Sequence, residues 1–103
     1  MVTQEPPLAD TDIEEAAQVL RDDIVGGIYA ALLSEYQRRG EMNTTLMLFV
    51  DARPDSVKAD SLANLQVGGL LVNIDGQWTL TTLGLAAVDR VLAQPDSIIS
   101  LFL

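Results

Sequence analysis

The chain has 103 residues, 49% of them hydrophobic and 20% charged, a composition typical of one globular domain and unlike that of a disordered segment. It contains no cysteine and no histidine, which excludes disulfides, thiol chemistry, the commonest general base and the commonest transition-metal ligand. Fifteen acidic against six basic residues give a net charge of −9, whose field repels nucleic acid and anionic membranes and favours basic partners.

The first ten residues carry acids and two prolines where a signal peptide would have a basic and then an apolar region. We therefore expect a flexible lead over residues 1–10 and a single domain over residues 11–103. No apolar run approaches the roughly 20 residues needed to span a bilayer. These features predict a cytoplasmic protein with no membrane partner.

A long helical pattern follows this lead. It begins at a cap formed by Thr11 or Asp12, and apolar residues then recur at steps of three and four. The pattern continues to about Arg39, and Gly40 provides a natural C-terminal stop. Because Gly26–Gly27 lies in the middle, the sequence favours a break or kink there over one continuous helix.

The next two segments differ in how clearly they can be assigned. Residues 42–50 are apolar without a clear period, so a short helix capped by Asn43 or Thr44 and a buried strand both remain open. Residues 53–56 resemble a turn that opens another helix, and Gly68–Gly69 is expected to end that helix.

Residues 70–81 carry the clearest local signal, that of a hairpin with a two-residue turn at Asp75–Gly76. The expected register places four side chains on one face: Leu71, Asn73, Trp78 and Leu80. We expect Trp78, the sole tryptophan, to pack the hairpin onto the first or last helix; the alternative is an exposed aromatic anchor for a partner. Thr81 or Thr82 would then cap the last helix.

The second half of the chain follows the pattern of an apolar helix, Gly-Leu-Leu, a hairpin, Leu-Thr-x-x-Gly and a helix. The residues that carry it are Leu62, Leu65, Gly69-Leu70-Leu71, Asp75-Gly76-Gln77-Trp78-Thr79-Leu80-Thr81 and Gly84. Over about residues 42–93 this order resembles the winged helix-turn-helix domain of small bacterial and archaeal regulators of the MarR and PadR kind. The resemblance implies a mostly α-helical fold with a two-stranded β-hairpin as its wing.

The same resemblance implies a DNA-binding helix over Asp55 to Val67 and phosphate contacts from basic residues of the wing. The residues expected to contact DNA in this alternative are Arg53, Lys58, Ser61, Asn64 and Gln66. However, that helix carries two acids and one base, and the wing tip carries Asp75 and no base. Because phosphate contacts supply much of the affinity for DNA, this charge disfavours the alternative of a homodimeric transcription regulator.

The leading hypothesis concerns the acid-rich start of the first helix, where we select Asp12, Glu15, Asp22 and Asp23. Carboxylates four residues apart on a helix are separated by about 6 Å along its axis, which is comparable to the phosphate spacing of a nucleic-acid strand. The face is either an ordinary solvated surface or an imitation of a phosphate backbone. The second interpretation predicts an acidic inhibitor of a basic protein or nucleoprotein complex, in its sharpest version an anti-CRISPR-like phage factor.

Enzymatic activity is not expected, because no serine has a basic partner at a convincing spacing and no pair of carboxylates stands out. No cofactor or metal site is expected either. The segment Asn73-Ile74-Asp75-Gly76 resembles half of a calcium-binding loop, but a hairpin turn explains the same residues better.

The C-terminal residues form a second unusual feature, because so much apolar surface at a chain end needs a cover. The residues concerned are Ile98, Ile99, Leu101 and Phe102. They are expected either to fold back on the first helix or to form the seam of a homodimer.

Overall fold

The computed structural model describes residues 8–94, which form five helices and one two-stranded hairpin. In chain order they are α1 (Asp10–Asp22), α2 (Ile24–Arg39), α3 (Thr44–Asp51), α4 (Asp55–Val67), β1 (Leu71–Ile74), β2 (Gln77–Leu80) and α5 (Thr82–Leu92). The predicted C-terminal contact residues Ile98, Ile99, Leu101 and Phe102 lie outside this range. The fold class is therefore mostly α with an antiparallel two-stranded hairpin.

The first helix begins earlier than the sequence predicts. Helix α1 starts at Asp10, after Ala9, and no side chain caps it. Thr11 and Asp12 lie inside the first turn, so the prediction that one of them forms the cap is wrong. The first turn is held instead by a contact distant in sequence, an ion pair between Asp10 and Arg90 of α5.

The helical break falls at Asp23, whereas the sequence predicts it at Gly26–Gly27. Asp23 adopts an extended backbone conformation, and its carboxylate accepts a hydrogen bond of 2.9 Å from the Gly26 amide. Both glycines are buried in the first turn of α2. A Cβ on Gly26 would lie 3.0 Å from the carboxyl carbon of Asp23, so glycine leaves room for the cap.

The ambiguous stretch 42–50 forms helix α3, and the strand alternative is wrong. The Asn43 side chain accepts a hydrogen bond from the Leu46 amide at 3.1 Å, which fixes the start of the helix. Leu46 and Val50, four residues apart, are buried on its inner face. Gly40, at φ 71°, ends the preceding helix as predicted.

The hairpin has the predicted register, with Leu71 opposite Leu80 and Asn73 opposite Trp78. Asp75 and Gly76 both have positive φ, at 52° and 85°, as a type I′ turn requires. The hairpin packs against α2, α4 and α5, and Trp78 is partly buried against the core.

The core lies where the five helices and the hairpin meet. Its largest fully buried side chains are Leu20, Ile28, Leu46, Leu65, Leu70, Val88 and Val91. Thr81 caps α5 by accepting a hydrogen bond from the Gly84 amide at 3.0 Å, so the Thr81 alternative of the predicted cap is confirmed. Gly84 lets α5 approach the hairpin, because a Cβ there would lie 2.3 Å from the Leu70 carbonyl oxygen. Within residues 8–94, none of the helices combines the length and the apolar character needed to cross a bilayer.

Candidate protein-binding surface

The acids of α1 fall into two sets, one of which is neutralised by the protein itself. Glu14 forms ion pairs with Arg21 at 2.8 Å and with Arg90 at 3.2 Å, and Asp10 pairs with the same Arg90. The hydrogen bond from Arg90 lowers the pKa of Asp10, and hydrogen bonds from Arg21 and Arg90 lower the pKa of Glu14. This set links α1 to α5, and the paired guanidinium groups offset its negative charge toward an outside partner.

The second set, which we call the acidic stripe, consists of Asp12, Glu15 and Asp22. All three side chains are exposed, and none of them forms an ion pair with another residue in the range 8–94. At about 100° per residue, the three positions fall within about 80° of one another around the helix axis. The stripe therefore presents its carboxylates on one side of α1.

A shallow depression of about 290 Å³ adjoins two members of the stripe, Asp12 and Glu15. Its other lining residues are small or apolar: Leu8, Ala16, Val19, Gly68 and Leu83. Asp22 lies further along α1, where it accepts a hydrogen bond of 2.9 Å from the Gln18 side chain. The stripe thus combines free carboxylates with apolar surface beside them, a lining that suits the methylene stems and charged heads of lysine and arginine.

Asp23, the fourth acidic residue selected from the sequence, does not belong to the stripe. Its Oδ1 accepts hydrogen bonds from the Gly26 amide at 2.9 Å and from the Ser61 hydroxyl at 3.0 Å, and its Oδ2 accepts one from Asn64 at 3.3 Å. We call this arrangement of Asp23, Ser61 and Asn64 the Asp23 node. It caps α2 and joins α2 to α4, so Asp23 is placed for a structural role.

The residues expected to contact DNA are divided by the structure. Ser61 is only 5% exposed, and both Ser61 and Asn64 are directed at Asp23. Lys58 pairs with Asp55 at 3.3 Å, and the Arg53 guanidinium lies over the Phe49 ring at 4.6 Å. The remaining residue of this set, Gln66, is exposed. The five side chains therefore do not form one surface.

The outer side of α4 carries no basic residue. Its exposed positions opposite the buried side chains are Ser56, Ala59, Asp60, Ala63 and Val67. Val67 is 90% exposed, and Asp60 is the one charged residue among them. A groove of DNA would meet mainly apolar side chains and one carboxylate on this side.

Most of the basic side chains form ion pairs with acidic side chains of the same chain. Four of the six basic residues pair with carboxylates of the same chain: Arg21, Arg38, Lys58 and Arg90. Within the part of the chain that is described, Arg39 and Arg53 have no carboxylate within 4.0 Å. The charge that remains open to a partner is therefore strongly negative.

No group of three acidic side chains within residues 8–94 lies close enough together to hold a metal ion. Comparison of the chain with protein-family models, with curated proteins and with solved structures gives no match.

Sequence reasoning missed the Asp10–Glu14–Arg90 ion pairs and the Asp23 node. The ion pairs join residues 76 and 80 positions apart, and no local pattern carries such a pairing. Asp23 did have a local signal, because aspartate is one of the residues that favour an N-cap. The longer apolar periodicity across residues 12–39 obscured that signal.

Proposed function

We propose that this chain is a non-enzymatic acidic binding protein whose acidic stripe occupies a basic nucleic-acid-binding site on a partner protein. The observation that supports it best is the contrast between Asp12, Glu15 and Asp22, which are exposed and free of ion pairs, and the four basic residues that are paired internally. A net charge of −9 adds long-range attraction for a positively charged partner.

The geometry of α1 suits this role. Asp12 and Asp22 are ten residues apart, which corresponds to about 15 Å along the helix axis, or about two phosphate steps of a nucleic-acid strand. Ala16, Ala17 and Leu20 are buried, and the ion pairs of Arg90 link the start of the helix to α5. The stripe is therefore held on a supported helix, so little conformational entropy is lost when a partner binds.

An anti-CRISPR-like phage factor is the narrowest form of this proposal. Capture experiments on nuclease-treated and untreated lysate of the native host test it, with the purified chain as bait. The proposal predicts that a basic protein or complex stays bound after nuclease treatment and is released when excess nucleic acid is added as a competitor. Recovery of DNA fragments alone, lost on nuclease treatment, would contradict it.

The alternative proposal is a winged helix-turn-helix fold acting as a homodimeric DNA-binding regulator. The order of α2, α3, α4, hairpin and α5 supports it, as does the short connection of residues 52–54 between α3 and α4. Arg53, which has no carboxylate partner in the described range, would contact phosphate, together with Lys58. The test is binding to mixed DNA duplexes over a salt series. A steep fall in DNA affinity as the salt concentration rises, together with weaker DNA binding by Arg53→Ala, would favour this alternative.

A further inference from the structure

A cavity of about 380 Å³ lies between α2, α3 and α4, away from the acidic stripe. Its apolar wall includes Val25 and Tyr29 of α2, Val50 of α3, and Leu62 and Leu65 of α4. This volume is at the lower end of the range of small-molecule sites, about 300–1,000 Å³, and fits one aromatic ring with a short chain.

The polar groups of the cavity carry a net negative charge. Asp51, Asp55 and Lys58 contribute two carboxylates and one ammonium to its lining. Lys58 lies 3.3 Å from an oxygen of Asp55, so these two charges largely neutralise each other. Asp51 is exposed and has no ion pair within residues 8–94, so its charge remains available to a ligand.

Tyr29 gives the apolar wall an aromatic surface. Its side chain is partly buried and packs against the core, and burial raises the pKa of the phenol. The phenol therefore stays uncharged at neutral pH, and its ring can contact a cation or another ring. Tyr29 and Asp51 together offer a cationic ligand both a ring face and a counter-charge.

We propose that this cavity binds a small aromatic amine, with its ring against the apolar wall and its ammonium group at Asp51. The apolar lining selects the ring, and the unpaired carboxylate in a chain of net charge −9 selects a cation over an anion. This site is separate from the acidic stripe, and it does not depend on the function proposed for that stripe.

The experiment compares three ligands of the same shape and different charge. We would titrate ¹⁵N-labelled protein with 2-phenylethylamine, which is cationic at neutral pH, and with neutral 2-phenylethanol and anionic phenylacetate. The proposal predicts saturable amide shifts centred on Val25, Tyr29, Val50 and Leu62. It also predicts that the amine binds most tightly and phenylacetate least tightly. Equal binding of the three ligands, shifts centred elsewhere, or no saturable shift would each overturn the proposal.

Three variants separate charge from general effects on the fold. Asp51→Asn should weaken amine binding about two- to fivefold, the range expected for one partly exposed ion pair, and Lys58→Gln should strengthen it by a similar factor. Asp75→Asn removes the same charge in the hairpin turn and should change nothing. If all three variants bind 2-phenylethylamine equally well, the proposed position of the ammonium group is wrong.

Discussion

Replacing Asp23 by alanine tests the structural role of the Asp23 node. The change removes the N-cap of α2 and both acceptors that hold α4 against it. Ser61 is only 5% exposed, so its hydroxyl would lose its partner without gaining full access to water. Asp23→Ala should therefore destabilise the fold. It should do so even though removal of one negative charge reduces the repulsion within a chain of net charge −9.

The magnitude follows from two separate losses. Loss of an N-cap side chain costs about 1 kcal/mol, and a buried hydroxyl without a partner costs about 1–2 kcal/mol. The bond to Asn64 is long, at 3.3 Å, and exposed, so it adds little. Together the changes predict a decrease in the free energy of unfolding of about 2–3 kcal/mol.

Urea denaturation followed by far-UV circular dichroism measures this effect, and two variants serve as controls. Asp22→Ala removes the neighbouring exposed carboxylate and should change the free energy of unfolding by no more than about 0.5 kcal/mol. Asp23→Asn keeps one oxygen that can accept from both Gly26 and Ser61, so it should lie much closer to wild type than Asp23→Ala. If Asp23→Ala is as harmless as Asp22→Ala, the structural role of the Asp23 node is refuted.

Two further predictions concern other parts of the fold. Gly84→Ala would place a Cβ 2.3 Å from the Leu70 carbonyl oxygen, so it should lower the free energy of unfolding by about 1–3 kcal/mol. Thermal unfolding measures this effect, and unchanged stability would contradict the close approach of α5 to the hairpin. Arg90 lowers the pKa of Asp10, and Arg21 together with Arg90 lowers the pKa of Glu14, from ordinary values of 3.8 and 4.5. The stabilising effect of these ion pairs is therefore present above about pH 4.5 and is lost as the pH falls through the lowered pKa values. Arg90→Gln should flatten this acid-side decrease in stability, and parallel pH profiles of the two proteins would show that the pairs do not form in solution.

Local chemistry explains which elements could be predicted from the sequence. The turn at Asp75–Gly76, the stop at Gly40 and the cap at Thr81 each depend on a few neighbouring residues, and all three occur as expected. The short helix α3 stayed ambiguous because its apolar residues suit either period. The Asn43 cap favours the helix, and burial of Leu46 and Val50 completes it.

The positions that could not be predicted depend on contacts between distant residues. Asp10 and Glu14 resemble the other acids of α1 in sequence, yet they pair with Arg90 and Arg21, whereas Asp12 and Glu15 have no ion pair within residues 8–94. The packing of α1 on α5 therefore determines which of these carboxylates remain unpaired and exposed. The sequence showed that the segment is acidic, but not which carboxylates remain available.

The central claim, that the acidic stripe binds a basic partner, is tested most directly by two charge-reversed triple variants used as bait. One carries Asp12→Lys, Glu15→Lys and Asp22→Lys. The other carries Glu41→Lys, Asp51→Lys and Asp60→Lys at exposed positions outside the stripe.

Each triple variant raises the net charge by six, from −9 to −3, so a nonspecific effect of charge would be the same in both. The measurement is the amount of basic protein captured from nuclease-treated lysate, with unfolding curves to show that both variants fold. We predict at least about a tenfold loss of capture for the stripe variant and near wild-type capture for the other variant. Equal capture by the two variants would contradict the role of the acidic stripe.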